Sequence, residues 1–352
     1  MIQVIKDKKA WDENLALVND SDFYFTYDYH HFSKNNNESP ILLRYTDGEN
    51  SLLLPLLIRD IENSNYKDAT SVYGYTGVLE QNINSNFEQN NFKKELQDFF
   101  KKNNIITVFS RLHPFFNYQE NHLEGLGKVI VSGQVVNIDL TDTIENQRAK
   151  FNRRLKTYLN KSRKSCSVIK GNVHEHLPTF IRLYYENMKR VDADDSYFFE
   201  EKYFYEILAS NDFESELSIC VHNDTKEIIG GAIFIKTGSI VQYHLSGMSG
   251  DHFDLNPVKL IIDEMRIKAT QEGFKYFNLG GGRGGHEDSL FRFKSGFSKD
   301  HRPFKLWKYI VDEKAYHLLT NGTIPSDMLT ANLYEGFFPA YRKHPVMIRT
   351  AG

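Results

Sequence analysis

Apolar residues recur along the chain with two different periods, and the switches between them mark out its elements. "ILLRYTDGENSLLLPLLIRD" (41–60) is a pair of apolar runs around Asp47-Gly48. This predicts a β-hairpin, and Pro55, which has no N–H to donate, predicts an edge position for its second strand. "NFKKELQDFFKKN" (91–103) has the helical period, and "IITVFSRL" (105–112) reads as a buried strand. "TDTIENQRAKFNRRLKTYLNKSRKSC" (141–166) offers Thr141 or Thr143 as an N-cap and contains neither glycine nor proline, which predicts one helix.

The second half is better punctuated. "EHLPTFIRLYYENMKR" puts Leu177, Phe180, Ile181, Tyr184 and Met188 on one helical face. "ELSICVHND" and "EIIGGAIFIKTGSIVQYHLSG" predict three antiparallel strands with turns at Asn223–Asp224 and Thr237-Gly238. A helix follows, with Asn256 as N-cap, Pro257 at its first position, an apolar stripe of Val258, Ile261, Ile262, Met265 and Ala269, and Gly273 as its stop. "FKYFNLG" is then a strand, "EDSLFRFKSGF" a short helix and "PFKLWKYIV" a closing strand. A meander before a single central helix is not the strand–helix alternation of a doubly wound sheet. The pattern predicts a mixed α+β chain.

Composition changes this picture little. The chain has 352 residues, enough for two domains, with 40% hydrophobic and 25% charged residues and a net charge of −3. That charge gives no overall pull toward nucleic acid or membrane, so electrostatic partners must be sought in local patches. The clearest patch is 148–164, where Arg148, Lys150, Arg153, Arg154, Lys156, Lys161, Arg163 and Lys164 occur without an acid. It suits RNA phosphates, an anionic membrane surface or plain solvent. Cys166 and Cys220 show neither disulfide-framework nor metal spacing, so no metal site is expected. "MIQVIKDKKAWDENL" lacks an apolar signal region, and no apolar run reaches bilayer length. The expectation is a cytoplasmic, reduced, soluble protein.

Chemistry concentrates in "FNLGGGRGGHEDSLFRFKSGF" (277–297). Gly280, Gly282 and Gly285 match the dinucleotide-binding G-x-G-x-x-G to the letter, but the context does not. That fingerprint opens a βαβ unit and is followed about 20 residues on by a ribose-binding acid. Here it sits late in the chain, and the next plausible acid, Asp312, is too far away. Glu287 and Asp288 also stand where a helix start would have to receive phosphate. The glycine density exceeds what a turn requires, which predicts a loop facing a ligand other than a dinucleotide.

"YHLSG" (243–247), "NPVKLIIDEMRIKATQEG", "FNLGGG" and "DSLFRFKSGFS", with "LYYENMKRVDADDSYFF" (183–199) and "YGYTGV" (73–78), resemble the Fem-type peptidoglycan-bridge transferases. They are also similar to acetyltransferase-like proteins of envelope polysaccharide clusters. The resemblance runs from about 70 to 300 and is strongest over 183–300. It implies two GNAT-like domains in tandem, each a mixed, largely antiparallel sheet flanked by helices. We place these at 1–145, the acceptor side, and 146–319, the transferase domain, with 320–352 packing back on the first.

The resemblance further implies an N-acyltransferase that forms an amide on an amine of an envelope precursor, such as a muropeptide or an amino-sugar nucleotide. The donor would be acyl-CoA or aminoacyl-tRNA, with no permanently bound cofactor. The turn "GDHFDLNP" (250–257) departs from the glycine pattern that holds CoA pyrophosphate and carries Asp251 and Asp254, which oppose it. Lys294 follows Phe293 as in the family's "FK" pair and is the expected cationic donor at the reacting carbonyl. Tyr73, Gly74 and Tyr75 match a segment lining the acceptor cleft. Tyr243, His244, Gly280, Gly281, Gly282, Arg283 and Phe293 complete the expected substrate contacts. The competing expectation is a non-catalytic RNA- or envelope-binding protein on the same fold, since a fold alone confers no activity.

Overall fold

The structure is a computed structural model that describes residues 1–320 and 333–343. Its first half runs β1 (Ile2–Ile5), α1 (Lys8–Leu15), α2 (Tyr27–Ser33), β2 (Glu38–Asp47), β3 (Asn50–Asp60), β4 (Lys67–Thr70), β5 (Leu79–Gln81), α3 (Gln89–Lys102), β6 (Ile105–Arg111), α4 (Gln119–Leu123) and β7 (Lys128–Asp139). It continues with α5 (Ile144–Ala149), α6 (Arg153–Ser165), β8 (Cys166–Lys170), α7 (Val173–Arg190), α8 (Glu201–Ala209), β9 (Glu214–His222), β10 (Ile228–Thr237) and β11 (Ile240–Met248). The last elements are α9 (Pro257–Gln271), β12 (Tyr276–Gly280), α10 (Ser289–Lys294), β13 (Asp300–Ile310) and α11 (Glu313–Thr320). None of the described helices is long and apolar enough to cross a membrane.

The chain forms two compact units, Met1–Asn19 with Lys34–Ser132 and Phe304–Gly352, and Asp20–Ser33 with Gly133–Pro303. This division differs from a single cut at residue 145, and pairing explains why. The end of β7, Val136–Asp139, is hydrogen-bonded to β12, while Leu306–Ile310 of β13 pair with β6. Residues 20–33 join the second unit because Asp22 Oδ2 accepts a hydrogen bond from Gln242 on β11. Of the tail expected to pack on the first domain, 321–332 and 344–352 lie outside the described residues. Within 333–343, Phe338 and Ala340 pack with Ile310 and Tyr316. Tyr341 and Arg342 both reach the buried carboxylate of Asp68.

The first unit orders its strands β1-β2-β3-β4-β6-β13, with β5 also on β3, and only β4–β6 is parallel. Leu52, Leu54, Leu56, Phe92, Phe100 and Trp307 fill its core. Each such side chain contributes about 1.5–3 kcal/mol on burial. Asp47-Gly48 turns the β2–β3 hairpin as expected, with Gly48 left-handed at φ 60°. Pro55 does not mark an edge, because β3 is flanked on both sides. On its second side β5 pairs with Ser51–Leu53 and β4 with Leu57–Asp60, and Pro55 falls in the gap between them. A missing N–H is tolerated there for the same reason as at an edge.

The second unit orders its strands β7-β12-β11-β10-β9-β8, with β11–β12 its parallel pair. The meander β9–β10–β11 and its turns form where the pattern places them. α9 lies against the sheet through Ile261, Ile262, Met265 and Ala269, opposite Phe234, Val241 and Phe277. Both units are thus mixed, largely antiparallel sheets with flanking helices. Two local expectations are corrected. The basic stretch is two helices, α5 and α6, because Asn152 stops the first and caps the second, its Oδ1 accepting from Leu155 N at 2.7 Å. Asn256 precedes α9 but does not cap it. It is left-handed (φ 53°), and its side chain bonds Asp254 O and the Lys259 amine instead.

Candidate active site

The site begins where two parallel strands part. β11 and β12 pair only from Ile240–Gln242 to Tyr276–Asn278. Beyond that point β11 continues to Met248, and β12 ends at Gly280 in the glycine turn. A strand end that diverges from its parallel neighbour leaves room for a ligand at the carboxyl edge of the sheet.

The turn is closed by its own atoms. Gly280 is left-handed at φ 74°, and its N–H donates to Asn278 Oδ1 at 2.9 Å. Gly282 can carry no side chain, since a Cβ there would stand 2.0 Å from His286 O and 2.5 Å from Asp288 Oδ1. Asp288 caps α10 by accepting from Phe291 N at 2.9 Å and also accepts from Arg283 N and Nε at 3.3 and 3.2 Å. Its carboxylate therefore occupies the helix start that a pyrophosphate would need, which agrees with setting the dinucleotide reading aside. Arg283 is also tied to the end of α7 by its bond to Val191 O at 3.0 Å.

α10 lifts Lys294 back toward this turn. The side chain is buried, only 7% exposed, and Nζ donates to Gly281 O at 2.7 Å. The amine lies 5.9 Å from the ring centre of Tyr243, whose hydroxyl bonds Ser246. Burial lowers the Lys294 pKa from 10.5 to about 7, with Asp288 opposing the fall. Burial pushes Tyr243 the other way, up to about 12. Lys294, Tyr243, Gly280 and Gly281 thus form one cluster: an amine near its midpoint at neutral pH, a neutral phenol, and backbone without side chains. Such an amine has both protonation states available for proton transfer or for hydrogen bonding to developing charge.

Phe293 faces a second group. Its ring lies 5.4 Å from the Lys259 amine, which is 5.0 Å from the ring of Tyr158. Arg154 lies over that Tyr158 ring and bonds its hydroxyl. Burial, then the nearby Arg154 charge, lowers the Lys259 pKa. Among the described residues neither cation forms an ion pair; the Tyr158 and Phe293 faces hold them, with Asn256 Oδ1 accepting from Lys259. The rest of the basic stretch is partly neutralised. Arg148 and Arg163 pair with Asp263, Lys150 with Asp142, and Lys161 with Asp254.

Of the other expected residues, His244 is held by different partners within the second unit. His244 is the extra residue at the β10–β11 bulge. Its Nε2 bonds Tyr203 OH at 2.7 Å, Phe23 lies edge-on at 5.5 Å, and burial lowers its pKa to about 3, so it is neutral. Tyr73, Gly74 and Tyr75 belong to the first unit. There Tyr73 is 46% exposed, Gly74 has φ 121°, and Tyr75 meets Phe304 and His113 edge-on. Sequence reasoning missed Asn278, Tyr158 and Lys259. A lone amide between Phe277 and Leu279 was the visible signal for the first, and the i,i+4 pair Arg154/Tyr158 for the second.

By sequence, neither a protein-family profile nor a curated protein matches the chain. By structure, the chain is similar to the crystal structure of FemX, at 13% identity over 90% of this chain and 99% of that one, with a TM-score of 0.69. A conserved protein of unknown function from Bacteroides thetaiotaomicron aligns over 88% of this chain and all of its own (100%), at 10% identity and TM-score 0.58. The C-terminal DUF2156 domain of a protein assigned as a lysylphosphatidylglycerol synthetase from Agrobacterium fabrum aligns over 89% and 94%, at 12% identity and TM-score 0.54. At these identities the likeness is one of fold. The chain has a fold like that of FemX, a member of the group its motifs resemble.

Proposed function

We propose that this chain is an N-acyltransferase that moves an acyl or aminoacyl group from a phosphate-bearing donor, acyl-CoA or aminoacyl-tRNA, to an amine of a cell-envelope precursor. A muropeptide or an amino-sugar nucleotide fits the acceptor role. The observation that carries this reading is Lys294, a buried amine with its pKa near 7 where β11 and β12 diverge, on a transferase fold. The fold likeness to FemX and to the lysylphosphatidylglycerol synthetase domain supports the class of reaction.

In this reading the neutral acceptor amine adds to the donor carbonyl. The C–N bond forms, and charge grows on the carbonyl oxygen. Protonated Lys294 donates to that oxygen, an interaction worth on the order of 3 kcal/mol to the transition state. Collapse breaks the C–O or C–S bond, and the proton lost from nitrogen passes to the leaving oxygen or sulfur, directly or through solvent. Transfer is direct. Cys166 and Cys220 lie in the core with thiol pKa values raised by burial, and His244 is neutral and bonded to Tyr203. Arg154 and Lys259 would hold a donor phosphate, and Arg153, Lys156 and Lys164 would extend the contact along an RNA backbone. The precursor would be met in the cytoplasm or at the inner face of the membrane.

The test is a transfer assay with acyl-CoAs, aminoacyl-tRNA and candidate amine acceptors, read by mass spectrometry, beside a thermal-shift panel of the same compounds. Amide product with one donor class supports the proposal and names the donor. Stabilisation by RNA or by an envelope precursor with no product from any pair would point to a binding protein instead.

A further inference from the structure

β12 is an apolar strand interrupted by one amide. Phe277 and Leu279 face the core beneath α9, so Asn278 between them faces the opposite side of the sheet. Its strand neighbours are Gln242 on β11 and Asn137 on β7. Three buried amides therefore stand in a row across three strands. The outer two are anchored to acids. Gln242 Nε2 donates to Asp22 Oδ2 at 2.5 Å, and Asn137 Nδ2 to Asp300 Oδ2 at 2.6 Å.

Asn278 is anchored differently. It is 1% exposed, its Nδ2 has no partner, and neither has the facing Asn137 Oδ1. Burying half an amide unsatisfied is costly, and an apolar side chain would avoid that cost. Packing therefore does not account for an amide here; the one bond it makes does. The β12–β7 register shifts between Asn278 and Gly280, and Asn278 Oδ1 takes the Gly280 N–H at that shift. Gly280 is held left-handed, and the next carbonyl, that of Gly281, receives Lys294 Nζ at 2.7 Å.

We propose that Asn278 is a positioning residue: its side-chain carbonyl fixes the Gly280 turn so that the Gly281 carbonyl meets the Lys294 amine and keeps it in its buried place. This rests on the reading of Lys294 as the lysine of the reacting site. The titratable and charged groups facing that amine are Asp288, ahead of α10, and Tyr243, on β11. Neither side chain hydrogen-bonds Asn278: Asp288 is held by Arg283 and Phe291 N, and the Tyr243 hydroxyl by Ser246.

The test uses the full chain with its lysines reductively ¹³C-methylated, the Lys294 signal being assigned by its loss in Lys294→Met. Its NMR titration midpoint is followed in wild type, Asn278→Leu, the milder Asn278→Ala, and the control Asn137→Leu. The wild-type midpoint is expected near 7, and both Asn278 variants should move it upward by about one pH unit or more as the amine escapes to water. The Asn137 control should stay within ~0.3 unit of wild type. Faster hydrogen exchange at the Gly280 amide in Asn278→Ala, but not in Asn137→Leu, is the second readout. An unmoved midpoint in the Asn278 variants, an equal shift in the control, or a wild-type midpoint near 10.5 would overturn the proposal. These readouts need no turnover, so a failed transfer assay would count against the function and leave this result standing.

Discussion

Replacing Lys294 by Met separates what the buried amine does for the reaction from what it costs the fold. Met keeps the length and apolar stem and removes the titrating group. In the folded chain the pKa falls from 10.5 to about 7. At about 1.4 kcal/mol per tenfold, this disfavours the buried cation by roughly 5 kcal/mol. Between about pH 7 and 10.5 the unfolded chain holds a proton that the folded chain has released, so wild-type stability rises with pH across that window. Below it both states hold the proton, and the whole cost remains. Met gives up the bond to Gly281 O, worth about 1 kcal/mol. The variant should therefore be more stable than wild type by ~3–4 kcal/mol near pH 6, and less stable by about 1 kcal/mol near pH 10.5. Urea unfolding of both proteins across this range measures the gap. Transfer, assayed alongside, should fall by on the order of 10²–10³-fold. A variant that is less stable at pH 6, or a gap that does not change with pH, would refute the burial of an amine poised near neutrality. Unchanged turnover would refute its role in the chemistry.

Asp288→Ala removes the cap of α10 and the partner of Arg283, so stability should drop by about 1–2 kcal/mol in denaturant titrations. The same change should lower the Lys294 midpoint further, because Asp288 is what raises it. Gly282→Ala should distort the turn and sharply reduce thermal stability, since its Cβ would overlap His286 O; Gly48→Ala, left-handed but in open space, should cost only about 1–2 kcal/mol. Asp68→Ala strands Arg59 and Arg342 in the first unit and should cost on the order of 3–5 kcal/mol, with residues 333–343 becoming protease-sensitive. Arg154→Ala with Lys259→Ala should weaken donor binding and flatten its dependence on salt, as measured by titration at several ionic strengths.

The parts legible in the sequence are those set by local chemistry. The β9–β10–β11 meander could be read because Asn223–Asp224 and Thr237-Gly238 punctuate it, and α9 because Pro257 and Gly273 bound its apolar stripe. The break at Asn152 could not, since Asn is an ordinary helix residue until its side chain finds Leu155 N. Pro55 misled because an interior strand can host it where two short partners leave a gap. In the site, Lys294 was singled out by its neighbours in sequence, but its burial depends on α10 folding back over Gly281, a contact between residues that the linear pattern does not relate. Asn278 gained its meaning only from the register that sets it between Gln242 and Asn137. Lys259 and Arg154 sit on different helices, and their shared Tyr158 ring is a tertiary fact.

The exchange of segments between the two units orders events on the ribosome. Everything the second unit needs has been translated by Pro303, whereas the first still lacks the strand that hydrogen-bonds to β6. A nascent chain usually completes its N-terminal unit first, at roughly 5–20 residues per second. This one completes the later-encoded unit earlier, and the opening hundred or so residues wait with β6 exposed until Leu306–Ile310 emerge. A stop codon shortly after Pro303 would leave the second unit complete and β6 of the first without its β13 partner.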